Sequence, residues 1–185
     1  MSRLAIYHQD RPETPLFETQ NPNAISERLR EVGVRFERWQ ADAPLAPGAA
    51  PEQVLAAYRN DIDRLMRDGG YRVADVISMS PEHPDRVMLR KKFSNEHVHA
   101  EDEVRFFVAG SGLFTMHFGE QVFALLCRQN DLINLPAGTK HWFDMSETPS
   151  FIAIRLFTNP AGWVAEFTGN PIAERFPEYK VAAEG

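Results

Sequence analysis

The chain carries six histidines, His8, His83, His97, His99, His117 and His141. Three of them stand among other residues able to do chemistry. One stretch runs Asn95-Glu96-His97-Val98-His99-Ala100-Glu101-Asp102-Glu103-Val104-Arg105, and a second runs Asn134-Leu135-Pro136-Ala137-Gly138-Thr139-Lys140-His141-Trp142-Phe143-Asp144. Side chains on a β-strand alternate between faces. An unbroken strand through the first stretch therefore points His97, His99, Glu103 and Arg105 the same way. If that face lines an interior, its charges must be paired or coordinated, because uncompensated burial is expensive. Two neutral imidazoles and a carboxylate suit a divalent first-row metal ion, and Glu103 neutralises one of its two charges. His141 follows a Pro-x-Gly turn that can swing it back toward the first stretch as a fourth ligand. The plainer alternative is a pair of surface histidines beside a loop. The nearby carboxylate and the distant turn-borne histidine favour the metal.

Four protein ligands on an octahedral ion leave two cis positions open, unlike a closed structural zinc site. Such a centre can take a bidentate substrate. Nitrogen and oxygen donors without thiolate suit Fe(II), Ni(II), Co(II) or Mn(II). Cys127 is isolated and reads as a small buried hydrophobe. Arg155 has opposite parity to Ile152, Ile154 and Leu156, and faces either the cavity or solvent. Glu96 and Asp102 read as solvated carboxylates or as partners of a ligand histidine. His8, His83 and His117 receive no role.

The elements that must position these residues follow from pattern. Ile25, Leu29 and Val32 mark a helix over 24–32, with Gly33 as its stop. Val34 and Phe36 alternate as in a strand, and the Pro-bearing segment 42–48 reads as a loop. A second helix starts at Pro51 and runs to about Asp68, with Leu55, Tyr58, Ile62, Leu65 and Met66 on one stripe. Tyr71–Met79 reads as a strand and Asp85–Phe93 as a helix. From Glu96 the character is β, with strands at Val104–Ala109, Leu113–Phe118, Gln121–Leu126, Leu132–Leu135 and Phe151–Phe157 between Gly- and Pro-rich turns. A short helix is expected within Pro160–Phe167, followed by a tail. The reading is one domain over 1–185, mainly β, with helices at about 24–68 outside a β core at about 71–158.

Composition narrows the partners. Twenty-six acidic against 20 basic residues give a formal net charge of −6. That argues against nucleic acid or an anionic membrane surface as the main partner. The apolar runs are too short to span a bilayer. The N-terminus has no apolar h-region, and one cysteine cannot form an internal disulfide, so a cytoplasmic setting is expected.

His97-x-His99-x-x-x-Glu103, with Gly110 after six further residues, resembles the first motif of the cupins, and Pro136-x-Gly138-x-x-His141 resembles the second. Lys91 and Met145 stand where those motifs usually carry Gly and Asn. The stretches Lys92–Phe107, Asn130–Ile133, His141–Met145, Ala153–Phe157 and Gly162-Trp163 are more specifically similar to acireductone dioxygenase. The resemblance implies a cupin-type double-sheet jelly-roll barrel. It also implies one Fe(II) or Ni(II) per chain, held by His97, His99, Glu103 and His141, and a monomer. The substrates implied are O2 and 1,2-dihydroxy-3-keto-5-(methylthio)pentene of methionine salvage. With Fe(II) the products are formate and 4-methylthio-2-oxobutanoate; with Ni(II) they are formate, carbon monoxide and 3-(methylthio)propanoate. Arg105 resembles the residue that favours the substrate dianion; its alternative is a structural partner for an acid. In the family, the positions of Glu96 and Asp102 are linked to metal incorporation and to conformational transmission. Phe93, Phe107, Phe143 and Trp163 are candidates for the wall around the methylthio tail, or else ordinary core. Two competing readings are another metal-cupin enzyme, such as a sugar-phosphate isomerase, and a non-catalytic cupin binding module. The isomerase would need several cations for a phosphate.

Overall fold

The computed structural model describes residues 1–40, 43, 45, 49–159 and 164–180. The loop expected at 42–48 therefore lies, apart from Ala43 and Leu45, outside the described residues, as does Trp163. The architecture turns on one long strand, β6 (Glu103–Phe118), where the pattern predicts two strands. Its first half pairs with β10 (Phe151–Phe157) and β8 (Asp131–Leu135), and its second half with β7 (Gln121–Arg128) and β9 (Lys140–Asp144). The change of partners falls at Gly110, where φ is +70° and a Cβ would lie 1.9 Å from the Ser150 carbonyl oxygen. Glycine meets both demands and lets the strand pass from one sheet to the other without a break.

Two antiparallel sheets result. The first has the order β2 (Phe17–Thr19), β1 (Arg3–His8), β7, β6, β9, β5 (His97–Val98) and β11 (Glu166–Phe167). The second joins β4 (Val73–Met79), β10, β6, β8 and β3 (Arg35–Arg38). Alternation along β6 sorts its residues. Phe107 packs inside with Leu4, Phe114, Met116 and Ile133, while Val104, Phe106 and Val108 face outward onto helices. The second sheet is thus covered on both faces, so β10 reads as an almost continuous apolar run.

Helix α1 (Pro22–Glu31) is capped by Asn21, whose side-chain oxygen accepts from the N–H groups of Asn23 and Ala24. The helix expected from Pro51 to Asp68 is two, α2 (Pro51–Ala57) and α3 (Arg59–Gly69), broken at Tyr58. The Tyr58 ring is buried edge-on against Phe106, 5.6 Å between centroids. Val54 is buried in the place where the stripe had put Leu55. Helix α4 (Arg86–Phe93) follows expectation.

Strand β1, flanked by polar ends, escapes the sequence pattern, although Leu4, Ala5 and Ile6 are all buried. The helix expected within Pro160–Phe167 is not found in its described part: Glu166–Phe167 is a strand paired with β5. The described C-terminal helix is a 3₁₀ turn at Pro171–Arg175, capped by Asn170. No helix among the described residues is long and apolar enough to cross a membrane.

Candidate metal centre

The first histidine stretch is not one strand. β5 ends at Val98, and β6 resumes at Glu103. The side chains converge because β5 lies beside β9, with His97 opposite His141, and His141 opposite Met116 of β6. Two hydrogen bonds fasten the second motif onto the first. The Gly138 N–H donates to the His99 carbonyl at 2.9 Å, and the Ala137 N–H donates to Asp102 Oδ1 at 3.0 Å. The Pro136–Gly138 turn is thereby pinned against the 99–102 connection and delivers His141 to the other histidines.

Each imidazole is oriented by a backbone carbonyl. Nδ1 of His97 lies 2.7 Å from the Asn95 oxygen, that of His99 3.0 Å from the Val164 oxygen, and that of His141 2.8 Å from the Thr139 oxygen. A carbonyl only accepts, so Nδ1 carries the proton and Nε2 keeps its lone pair. Ligand-capable nitrogens of the three rings lie within 4.8 Å of one another. Glu103 Oε2 is 2.8 Å from Nε2 of His141 and 3.5 Å from Nε2 of His99. It is buried without a hydrogen-bond partner, since the lone pairs of oxygen and nitrogen face each other. A cation among these donors removes that conflict, so the residues present fit a borderline divalent metal ion.

The electrostatics prepare the same outcome. Burial, aided by His141, pushes the His97 pKa down to about 4. Burial also lowers that of His99, against the pull of Glu103. Both rings are neutral at pH 7 and need lose no proton to bind a cation. For Glu103, burial acts upward, but the adjoining Arg105 guanidinium opposes it, and the carboxyl stays well below the usual range. Arg105 Nη2 donates to Glu103 Oε1 at 2.6 Å. Burial lowers the Arg105 pKa and Glu103 counters it; a guanidinium stays charged in either case. Its centre lies 5.0 Å from the Phe114 ring and 4.6 Å from that of Phe143. Arg105 Nε and Nη1 are buried without partners.

A cavity of about 220 Å³ opens on these residues. Of the residues singled out in the sequence, it is lined by Phe93, His97, His99, Asp102, Glu103, Arg105, Phe143 and Arg155. Phe107 does not line it. That ring shares the inward face of β6 but lies deeper, fully buried against Phe114, Phe143 and Phe151. Arg155 faces the cavity while its guanidinium grips Asp75 through two hydrogen bonds, 2.7 and 2.8 Å. Glu96 is neither solvated nor a partner of the clustered histidines: its side chain is fully buried and takes hydrogen bonds from His117 and Thr168. Asp102 is half-buried and bonded to the Ala137 amide. Cys127 is buried, as expected. Sequence reasoning missed Lys92, Ile77, Leu89, Phe157 and Ala165 as lining residues, and missed His117 altogether. Lys92, one residue before Phe93 on α4, was the one with a local signal.

Two facing antiparallel sheets that share a strand, with three histidines and an acid gathered inside, define a cupin-type metal enzyme. Comparison with known proteins carries this to a family. The model of the ARD/ARD′ family matches residues 3–165. An acireductone dioxygenase from Stenotrophomonas maltophilia is 59% identical, covering 97% of each chain. One from Pseudomonas aeruginosa is 57% identical over 96% of this chain and 98% of its own. The solved structure of acireductone dioxygenase from Bacillus anthracis, with a cadmium ion in its active centre, superposes with a TM-score of 0.78 at 29% identity, covering 90% of this chain and 98% of that one. The chain belongs to the ARD/ARD′ family and is a dioxygenase.

Proposed function

We propose that this dioxygenase cleaves 1,2-dihydroxy-3-keto-5-(methylthio)pentene with O2, using one Fe(II) or Ni(II) held by His97, His99, Glu103 and His141. The observation that carries the reading is the buried meeting of unprotonated imidazole nitrogens with an unpartnered carboxylate oxygen at the mouth of a small cavity. Held by these four residues, such an ion would supply a Lewis acid for the substrate oxygens.

The chain's own residues do the rest. The three backbone carbonyls fix the tautomer and orientation of each imidazole. Arg105, whose Nε and Nη1 lack protein partners, offers donors and positive charge to an anionic enediolate in the cavity. Phe114 and Phe143 flank the Arg105 guanidinium, and Glu103 fixes one of its ends, so it need not reorganise when charge develops. Phe93, Phe143, Leu89 and Ile77 give the cavity an apolar side suited to a methylthio tail. Arg155, engaged by Asp75, adds a second cation at the wall. The chain is further read as one domain, monomeric and cytoplasmic, in keeping with its lone buried cysteine.

Stripping the protein and reloading it separately with Fe(II) and Ni(II) tests the reading. Aerobic turnover of the acireductone should give formate with the 2-oxo acid from one form, and formate with carbon monoxide from the other. Identical products from both forms, or no oxygen uptake from either, would reject it.

A further inference from the structure

The segment Val164–Thr168 forms one wall of the metal centre. Its Val164 carbonyl holds Nδ1 of His99 at 3.0 Å, Ala165 lines the cavity, and Glu166–Phe167 pairs with His97–Val98 as an edge strand. A two-residue pairing at a sheet edge is weak by itself, since short strands contribute few contacts. What closes the segment down is at its far end. Thr168 Oγ1 donates to Glu96 Oε1 at 2.7 Å, and the Thr168 N–H donates to the Glu96 carbonyl at 3.1 Å. The other oxygen of that carboxylate, Oε2, lies 2.8 Å from Nδ1 of His117. Nε2 of His117 lies 2.9 Å from the Gly119 carbonyl and 3.2 Å from Gln9 Oε1.

Glu96, just ahead of β5, turns its carboxylate away from the donors and onto His117 and Thr168. We infer that Thr168, Glu96 and His117 form a latch that holds the Val164–Thr168 strap on β5, and that Thr168 and His117 are positioning residues for the metal centre. The latch acts through the strap's backbone. With the strap closed, the Val164 carbonyl keeps the proton on Nδ1 of His99 and leaves Nε2 free to ligate. With the strap loose, that ring loses its orienting partner. Carbonyls and carboxylates in this position commonly govern metal affinity by a factor of ten or more. Thr168 lies past residue 165, where the family match ends, and the inference is argued from the geometry of these three side chains. It does depend on His99 being a ligand, as proposed above.

The test uses the full chain. Thr168→Val removes one hydroxyl from an exposed residue and keeps its shape; Thr168→Ser restores the hydroxyl. Each metal-stripped protein is titrated with Ni(II) against a chromophoric chelator, and amide exchange of residues 164–168 is followed by mass spectrometry. Thr168→Val should bind Ni(II) about tenfold more weakly and lose exchange protection in the strap, with its thermal midpoint nearly unchanged. Thr168→Ser should retain both properties. Wild-type Ni(II) affinity in Thr168→Val would overturn the latch, as would weakened affinity with strap protection intact. An unsubstituted protein that takes up no Ni(II) would instead overturn the metal reading, and the latch with it.

Discussion

Desolvation of His97 couples the centre to pH. The ring's ordinary value is 6.5, and in the fold it is pushed down to about 4. Between those values the unfolded chain binds a proton that the folded chain refuses, so folding weakens as pH falls. Metal-free protein should therefore lose stability from about pH 6.5 down to about pH 4, by on the order of 3 kcal/mol for this one group, and show no contribution from it above pH 7. Urea denaturation of stripped protein at pH 7 and pH 5 measures the loss, and His97→Gln should make it shallower. Equal slopes for both proteins would mean the ring is not desolvated as described. His97, His99, Glu103, Arg105 and His141 were legible in the sequence because metal chemistry restricts residue type and spacing together. The Val164 carbonyl on His99 was not, since a backbone acceptor leaves no mark on residue identity. Glu96 was misread because its buried partner, His117, lies 21 residues away, where only the folded sheet brings them together.

At the level of elements, the passage of β6 between sheets rests on Gly110. An alanine there would need a φ of +70° and would drive its Cβ into the backbone at Ser150 and Phe151. Left-handed strain and overpacking each cost about 1–3 kcal/mol. Gly110→Ala should thus destabilise the protein by several kcal/mol, read as a lower urea midpoint at unchanged m-value, whereas alanine at exposed Gly119, where a Cβ meets nothing, should cost only the strain. Comparable losses at the two sites would show that the close approach to Ser150 is not limiting. Elements with a nearly unbroken apolar run, such as β10, could be read at their full length. Elements defined by a partner could not. The turn of α2 into α3 is set by burial of Tyr58 on Phe106, and β11 exists only as the neighbour of β5. Local pattern cannot carry information about either contact.

For the whole molecule, the centre works as a fastening. Its donors come from β5, from the connection that follows it, from the start of β6 and from β9, and β6 itself belongs to both sheets. An ion bound there would tie β5, paired to β9 through the single residue pair His97 with His141, and the 99–102 connection, held by two hydrogen bonds from the Pro136–Gly138 turn, to β6 and β9. The unfolded chain has no such site, so binding energy adds to folding energy. At free metal a thousandfold above its dissociation constant, the gain is about 4 kcal/mol. For a chain of this size each kcal/mol moves the thermal midpoint by roughly 2–4 °C. Removing the ion with a chelator should therefore lower the midpoint by about 8–16 °C, and restoring Ni(II) should recover it. His141→Ala should start near the stripped midpoint and respond to neither treatment, because it deletes the ligand that unites the two motifs. Scanning calorimetry of both proteins, with and without Ni(II), decides the matter. A chelator-insensitive midpoint in the parent, or full Ni(II) stabilisation of His141→Ala, would show that the sheets meet without help from a cation.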